Sequence, residues 1–372
     1  MPFEQPASAT PLDLSRESSL TTVATYPGLR VLAWAGDVLY ASCGYTLLKT
    51  RITGTRSDWQ TVGRFRPAWW RELTSANRLS ARLVRDGFHA LAVLPSGHLV
   101  AAVPGAIVTL RPGDSEFRIS HTITRGTRPL HVMATPEGNV LWGEYFDNAR
   151  REEVRVYASR DCGESWEVGY TFPKGAIRHV HNVVYDEWEK CLWILTGDYG
   201  AECRILRAGC NFRSVEPVLS GNQQARAAAL VPSAEGLYFS SDTPLEKNHV
   251  FLLDRQGKLT VQAELSSSSI YGCRVGTSLF FSTMVEPSKI NAERRVRVYA
   301  GHGGARWQPV LEWKKDRWPM RLLQYGNAIL PDGENTTDYL AVTTIAVEGG
   351  DLMTAILRVG SERTQARCER VE

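Results

Sequence analysis

The chain has 372 residues, a formal net charge of +3, 43% hydrophobic and 22% charged residues. That length supports a large core, while the absence of any apolar run of about eighteen residues leaves no candidate for a helical membrane span. The basic residues form only small groups, at Arg150-Arg151, Arg294 to Arg297 and Lys314 to Arg317, so no continuous basic stripe of the kind that tracks nucleic acid is present.

The first residues, MPFEQPASATPLDLSRESS, lack the basic and apolar regions of a secretory signal. A cytoplasmic location is the expectation, with residues 1–18 irregular. Seven cysteines (Cys43, Cys162, Cys191, Cys203, Cys210, Cys273 and Cys368) show no disulfide rhythm and no C-x-x-C pair. Free thiols are expected, with a Cys203–Cys210 pair across a hairpin as the alternative.

In chain order, Leu20 to Tyr26 reads as a strand. The turn Gly54 to Trp59 precedes a strand at Thr61 to Phe65, and Ala68 to Arg82 has the apolar spacing of a helix. Further turn-then-strand pairs follow at Pro112-Gly113-Asp114 with Phe117 to Ile123, and at Ser159 to Ser165 with Trp166 to Phe172. They continue at Ala208 to Phe212 with Val215 to Leu219, Arg255 to Lys258 with Leu259 to Leu265, and Gly301 to Gly304 with Trp307 to Trp313. Alternating apolar segments precede each turn. A last set, Arg321 to Leu330, Tyr339 to Val347 and Leu352 to Val359, lacks a fourth strand, which Leu20 to Tyr26 supplies. Self-similarity at about 40 to 50 residues is the mark of a β-propeller. The reading is an all-β, seven-bladed propeller of four-stranded antiparallel blades, one domain over residues 1–372, closed by its N-terminal strand; six blades is the alternative count.

The turn Ser159-Arg160-Asp161-Cys162-Gly163-Glu164-Ser165-Trp166 carries the strongest motif, S-x-D-x-G-x-S-W. Asp accepts bonds from turn N–H groups, Gly supplies positive φ and Trp folds back over the corner. The pattern resembles the Asp-box (BNR) repeat of sialidase-like β-propellers. The resemblance covers eight residues. It implies an arginine triad for a substrate carboxylate, to which Arg178, Arg226 and Arg321 correspond by location. It also implies a Tyr nucleophile paired with Glu, from Tyr271 or Tyr145 with Glu286 or Glu144. The chain has no Arg-Ile-Pro signature near its N-terminus, and sialidase rings have six blades.

Propeller geometry places a ligand where inner strands begin and second strands end, at one mouth of the channel. Four consecutive blades supply Glu144, Asp198, Asp242 and Glu286 there; three supply His89, His131 and His181. Glycosidic hydrolysis needs two carboxyl groups with separated pKa values. The primary expectation is therefore a carbohydrate-active enzyme that hydrolyses an acidic oligosaccharide. In the alternative, a uronic-acid lyase, His131, His181, Tyr145 or Tyr271 removes a proton while arginine neutralises the carboxylate. The third reading is a non-catalytic glycan- or protein-binding propeller. Arg178, Arg226, Arg321, His89 and the aromatic residues Trp69, Trp70 and Trp318 are the substrate-binding candidates. No cofactor is expected. A divalent metal at the histidines is a minor alternative, since in a regular strand His179 and His181 share a face while Arg178 turns away.

Overall fold

The computed structural model describes residues 20–54, 57–302 and 307–360, and of His302 and Arg321 the backbone only. Residues 1–18, Thr55-Arg56, Gly303-Gly304 and Cys368 lie outside the described residues.

Seven antiparallel sheets follow one another along the chain. Blade 1 comprises Arg30–Gly36, Val38–Cys43, Thr46–Arg51 and Gln60–Arg64. Blade 2 comprises Ala90–Val93, Leu99–Val103, Ala106–Leu110 and Arg118–Thr122. Blade 3 comprises Met133–Ala134, Val140–Gly143, Val154–Ser159 and Glu167–Phe172. Blade 4 comprises Val180–Asp186, Cys191–Thr196, Arg204–Ala208 and Val215–Ser220. Blade 5 comprises Ala227–Pro232, Gly236–Ser241, Asn248–Asp254 and Leu259–Leu265. Blade 6 comprises Ser269–Val275, Ser278–Thr283, Arg295–His302 and Gln308–Lys314. Blade 7 comprises Asn327–Ile329, Tyr339–Ile345 and Met353–Val359, with Leu20–Pro27 as its outermost strand. The N-terminal strand pairs antiparallel with Met353–Val359, from Leu20 opposite Val359 to Pro27 opposite Met353. The expected seven-bladed ring is the observed one.

The burial pattern follows from blade position. Second strands such as Leu99–Val103 and Cys191–Thr196 are buried at every residue, because each face packs on a neighbouring blade. Outer strands such as Arg118–Thr122 are largely exposed. Apolar clusters fill the gaps between blades. One joins Ala90, Val100 and Ile107 of blade 2 to Val140, Trp142 and Tyr157 of blade 3, where Trp142 stacks on Tyr157 at 4.4 Å.

The Asp-box-like turn belongs to this packing. Asp161 accepts from Ser165 N at 2.9 Å and from the Ser159 and Ser165 hydroxyls. Gly163 has φ +86°, and a Cβ there would lie 2.4 Å from Val100 Cγ2 of blade 2. Its carbonyl accepts from Thr109 Oγ1 at 2.6 Å, and Trp166 Nε1 donates to Ser120 Oγ at 3.1 Å. The motif therefore clamps blade 3 onto blade 2 from the face opposite the expected ligand.

Two features differ from expectation in blade 7. Its inner strand is Asn327–Ile329 only, because Pro319 starts a short helix, α3 (Met320–Leu323), and Gln324 ends it with φ 67°. The chain then leaves the blade, and Asp332–Asn335 pairs parallel with Ala33 to Gly36 as a fifth strand of blade 1 inside the channel. The helical expectation between blades 1 and 2 resolves into α1 (Trp69–Ser75) and α2 (Arg78–Val84). Arg82 of α2 pairs with Asp316 at 2.8 Å and Asp351 at 3.2 Å, which ties this helical cap to blade 7.

Inner strands of blades 1, 4, 5 and 6 carry a register shift at the same place, between Val31 and Ala33, Val180 and Asn182, Ala227 and Ala229, and Ser269 and Tyr271. Such bulges break strict alternation and re-aim side chains. They sit where the channel mouth begins. Among the described residues no helix is long and apolar enough to cross a membrane. The described cysteines Cys43, Cys162, Cys191, Cys203, Cys210 and Cys273 are free thiols.

Candidate functional site

The starts of the inner strands supply polar side chains from successive blades: Arg30, His89, Arg128, His179 with His181, Arg226, and Ser268. Tyr145, Asp198, Asp242 and Glu286 join them from the ends of second strands. The ring has two electrostatic halves.

The acidic half spans blades 4 to 6. Asp198, buried at the end of Cys191–Thr196, faces Arg178 Nη1 at 3.2 Å, Arg226 Nη2 at 3.3 Å, His179 Nε2 at 3.4 Å and His181 Nε2 at 3.6 Å. Burial would push its carboxyl up, but the imidazoles and guanidinium facing it hold it well below the usual carboxylate range. Arg178 reaches Asp198 because it precedes the strand, and His181 is the extra residue of the bulge. Strict alternation thus gives way to convergence of all three. Burial depresses the His181 pKa, so its ring is neutral near pH 7.

Arg226 also reaches Asp242 Oδ2 at 3.5 Å. Burial opposes its charge, but Asp242 and Asp198 outweigh that and push its pKa up. Asp242 behaves differently. Its burial dominates the pull of Arg226, and with Glu286 and Asp198 nearby its pKa rises to about 7. Ser268 donates to Glu286 Oε2 at 2.9 Å. Tyr145 stands over this half, its ring 4.3 Å from that of His179. Burial, then Asp242 and Asp198, push its hydroxyl up to about 12. The ring thus holds one carboxyl kept well below the usual carboxylate range and one raised to about 7.

The basic half spans blades 1 to 3. Burial, then Arg30 and Arg85, drive the Arg128 guanidinium down to about 9. Burial also lowers Arg30, whose Nε is buried without a hydrogen-bond partner. Tyr271 and Tyr145 are the other groups that act most strongly on Arg128. His89 is held neutral by burial, then by Arg128 and Arg30, and its Nε2 meets Arg85 O at 2.7 Å.

Several expected site residues lie apart from this arrangement. Glu144 is bound by Arg125 Nε at 3.0 Å, by Arg125 Nη2, and by Arg155 N of the third strand at 2.8 Å. Neighbouring strand residues point to opposite sides, so Tyr145 takes the channel side and Glu144 becomes a clamp. His131 sits deeper, pairing with Asp332 Oδ2 at 3.0 Å, on the wall of a cavity of about 750 Å³ inside the channel. Trp69 and Trp70 of α1 and Trp318 beside α3 are exposed on the helical cap, at 74%, 42% and 42%. Their described contacts are within that cap: Arg71 over Trp70, and Arg317 over Trp318. The Arg321 side chain is outside the described groups.

Sequence reasoning passed over Arg30, Arg128 and Ser268 as site residues, and weighed His179 only as a partner of His181 for a metal. The signal available for them was positional: each begins an inner strand, as Arg226 does.

No family model matches the sequence, and no curated protein matches it. Among solved structures, a chain in the crystal structure of a mitotic checkpoint complex superposes with a TM-score of 0.59 at 10% identity, covering 97% of this chain and 98% of that chain. At that identity the likeness is one of fold, and the fold it supports is the seven-bladed β-propeller.

Proposed function

We propose that the protein is a binding propeller whose channel mouth receives a carboxylate-bearing ligand, with an acidic oligosaccharide as its class. One observation carries this reading. Arg30 and Arg85 lower the proton affinity of Arg128, burial lowers that of Arg30, and no carboxylate is among the groups that act most strongly on either guanidinium. Like charges held together away from bulk water are costly unless a counter-charge arrives. A ligand carboxylate at this place would remove the cost, with the Tyr271 and Tyr145 hydroxyls beside it. The opposite half offers acceptors for sugar hydroxyls. The likeness in fold to a chain of an assembly, the mitotic checkpoint complex, is in keeping with a binding role.

A second reading has its own observation. Asp242, raised to about 7, stands near Asp198, held well below the usual carboxylate range, and such a separation of two carboxyl groups is what acid–base cleavage of a glycosidic bond uses. In that reading the bound oligosaccharide is hydrolysed, or eliminated with Tyr145 or a histidine as base.

Calorimetric titration tests the binding. Acidic oligosaccharides should bind and neutral ones of equal length should not, and Arg128→Met should weaken binding about 10-fold or more, as expected for a lost charge-assisted contact. Equal affinity for neutral sugars, or none for any acidic one, would overturn the proposal. New reducing ends in the same samples would add hydrolysis; an ultraviolet-absorbing unsaturated product would add elimination.

A further inference from the structure

His179, His181 and Asp198 are each buried, at 6%, 3% and 7% exposure, and their arrangement raises a question of proton accounting. His179 Nδ1 lies 3.1 Å from the carbonyl of Phe146, and His181 Nδ1 lies 2.9 Å from the carbonyl of Ala227. A carbonyl oxygen only accepts, so each Nδ1 carries the hydrogen. A ring whose one hydrogen sits at Nδ1 presents a lone pair at Nε2. Those two lone pairs face each other at 3.0 Å, and Asp198 Oδ1 adds a third at 3.4 Å and 3.6 Å. Three possible ligand atoms thus converge within 3.6 Å of one another. The arrangement calls for a cation.

We propose that His179, His181 and Asp198 form a binding site for a divalent first-row metal ion of the zinc class. The dimensions fit. A triangle with edges of 3.0, 3.4 and 3.6 Å has a circumradius of about 1.9 Å, so an ion just off its plane sits at the 2.0–2.2 Å typical of Zn–N and Zn–O bonds. All three donors lie within one ligand-sized cluster. The outer shell is also in place. Carbonyl acceptors on the far nitrogen of each imidazole fix its tautomer and orientation, as at known metal sites.

Arg178 and Arg226 also touch Asp198, and their charges oppose a cation. Each is shared with a further carboxylate: Arg178 with Asp147, and Arg226 with Asp242. The negative charge of Asp198 is therefore not spent on them alone. Two imidazoles and one carboxylate leave the remaining coordination positions to water or a ligand, the open arrangement of reactive rather than structural sites. The site is independent of the Arg30–Arg128 pair that supports carboxylate binding.

Metal titration of the full-length protein after chelator treatment tests the site. One equivalent of Zn²⁺ should bind per chain, Co²⁺ should give visible absorption bands, and the melting temperature should rise with Zn²⁺ and return with chelator. His179→Gln and His181→Gln should each weaken uptake about 100-fold or more, while Arg128→Met leaves it unchanged. If wild-type protein takes up neither ion, the cation between the rings is a proton and the proposal falls. Undiminished uptake by both histidine variants would overturn it equally. Wild-type protein that takes up metal but binds no acidic oligosaccharide would count against the carboxylate-binding role alone.

Discussion

At Asp242 burial and charge pull in opposite directions, and burial wins. The groups facing it are Arg226, Glu286, Asp198, Ser268 and Tyr145, and the outcome is a carboxyl at about 7. Its affinity for a proton is thus higher in the folded chain than in the unfolded one. Protons favour folding, so its contribution is fully present below the unfolded pKa and is lost as pH rises through 7. Asp242→Asn should remove this slope. Chemical denaturation at pH 5 and pH 8 should show the variant gaining on wild type by on the order of 3 kcal/mol across that interval. An unchanged slope would assign the proton elsewhere. Tyr145 and Glu144 show how far a single register step matters. They are neighbours in sequence, yet one lies over the acidic half and the other is fixed to the third strand.

The elements of blade 3 separate clamp from ring. Glu144 joins the link before the blade, through Arg125, to the third strand, through Arg155 N. Glu144→Gln leaves Arg125 without its counter-charge and should lower stability by about 3 kcal/mol, measured by denaturant unfolding, with ligand binding unchanged. Lost binding at intact stability would return Glu144 to the site. Hairpins of this kind were legible in the sequence because apolar alternation and Gly- or Asp-containing turns recur at each blade. Asp332–Asn335 was not legible. Asp-Gly-Glu-Asn has no apolar alternation, and only the three-dimensional path past Pro331 gives it a partner. The inner-strand bulges were equally hidden, because they add a residue without changing composition. In blade 4 the extra residue is His181, one of the groups that meet Asp198. Position in the repeat was a better guide than residue type: it located Asp198, Arg226, Asp242 and Glu286, and applied to blade 1 it would have found Arg30.

As a whole the molecule is a ring held by side-to-side packing, and its N-terminal strand is the only covalent stranger in blade 7 among the described residues. Removing residues 1–27 would expose the full edge of Met353–Val359, an unpaired strand of the kind that recruits other chains. The shortened protein should melt about 10 °C lower or more, or associate, as read by circular dichroism and light scattering. A monomer of unaltered stability would show that the ring does not depend on this strand.

Asp332–Asn335 gives the junction between blades 7 and 1 a second fastening. The outer one lies at the rim, where Leu20–Pro27 pairs with Met353–Val359. The inner one lies at the hub, where the exit of blade 7 grips Ala33 to Gly36. A wheel spliced at both tyre and axle resists prying at either alone, so the seam between blades 7 and 1 is reinforced rather than left as the weak joint of the circle.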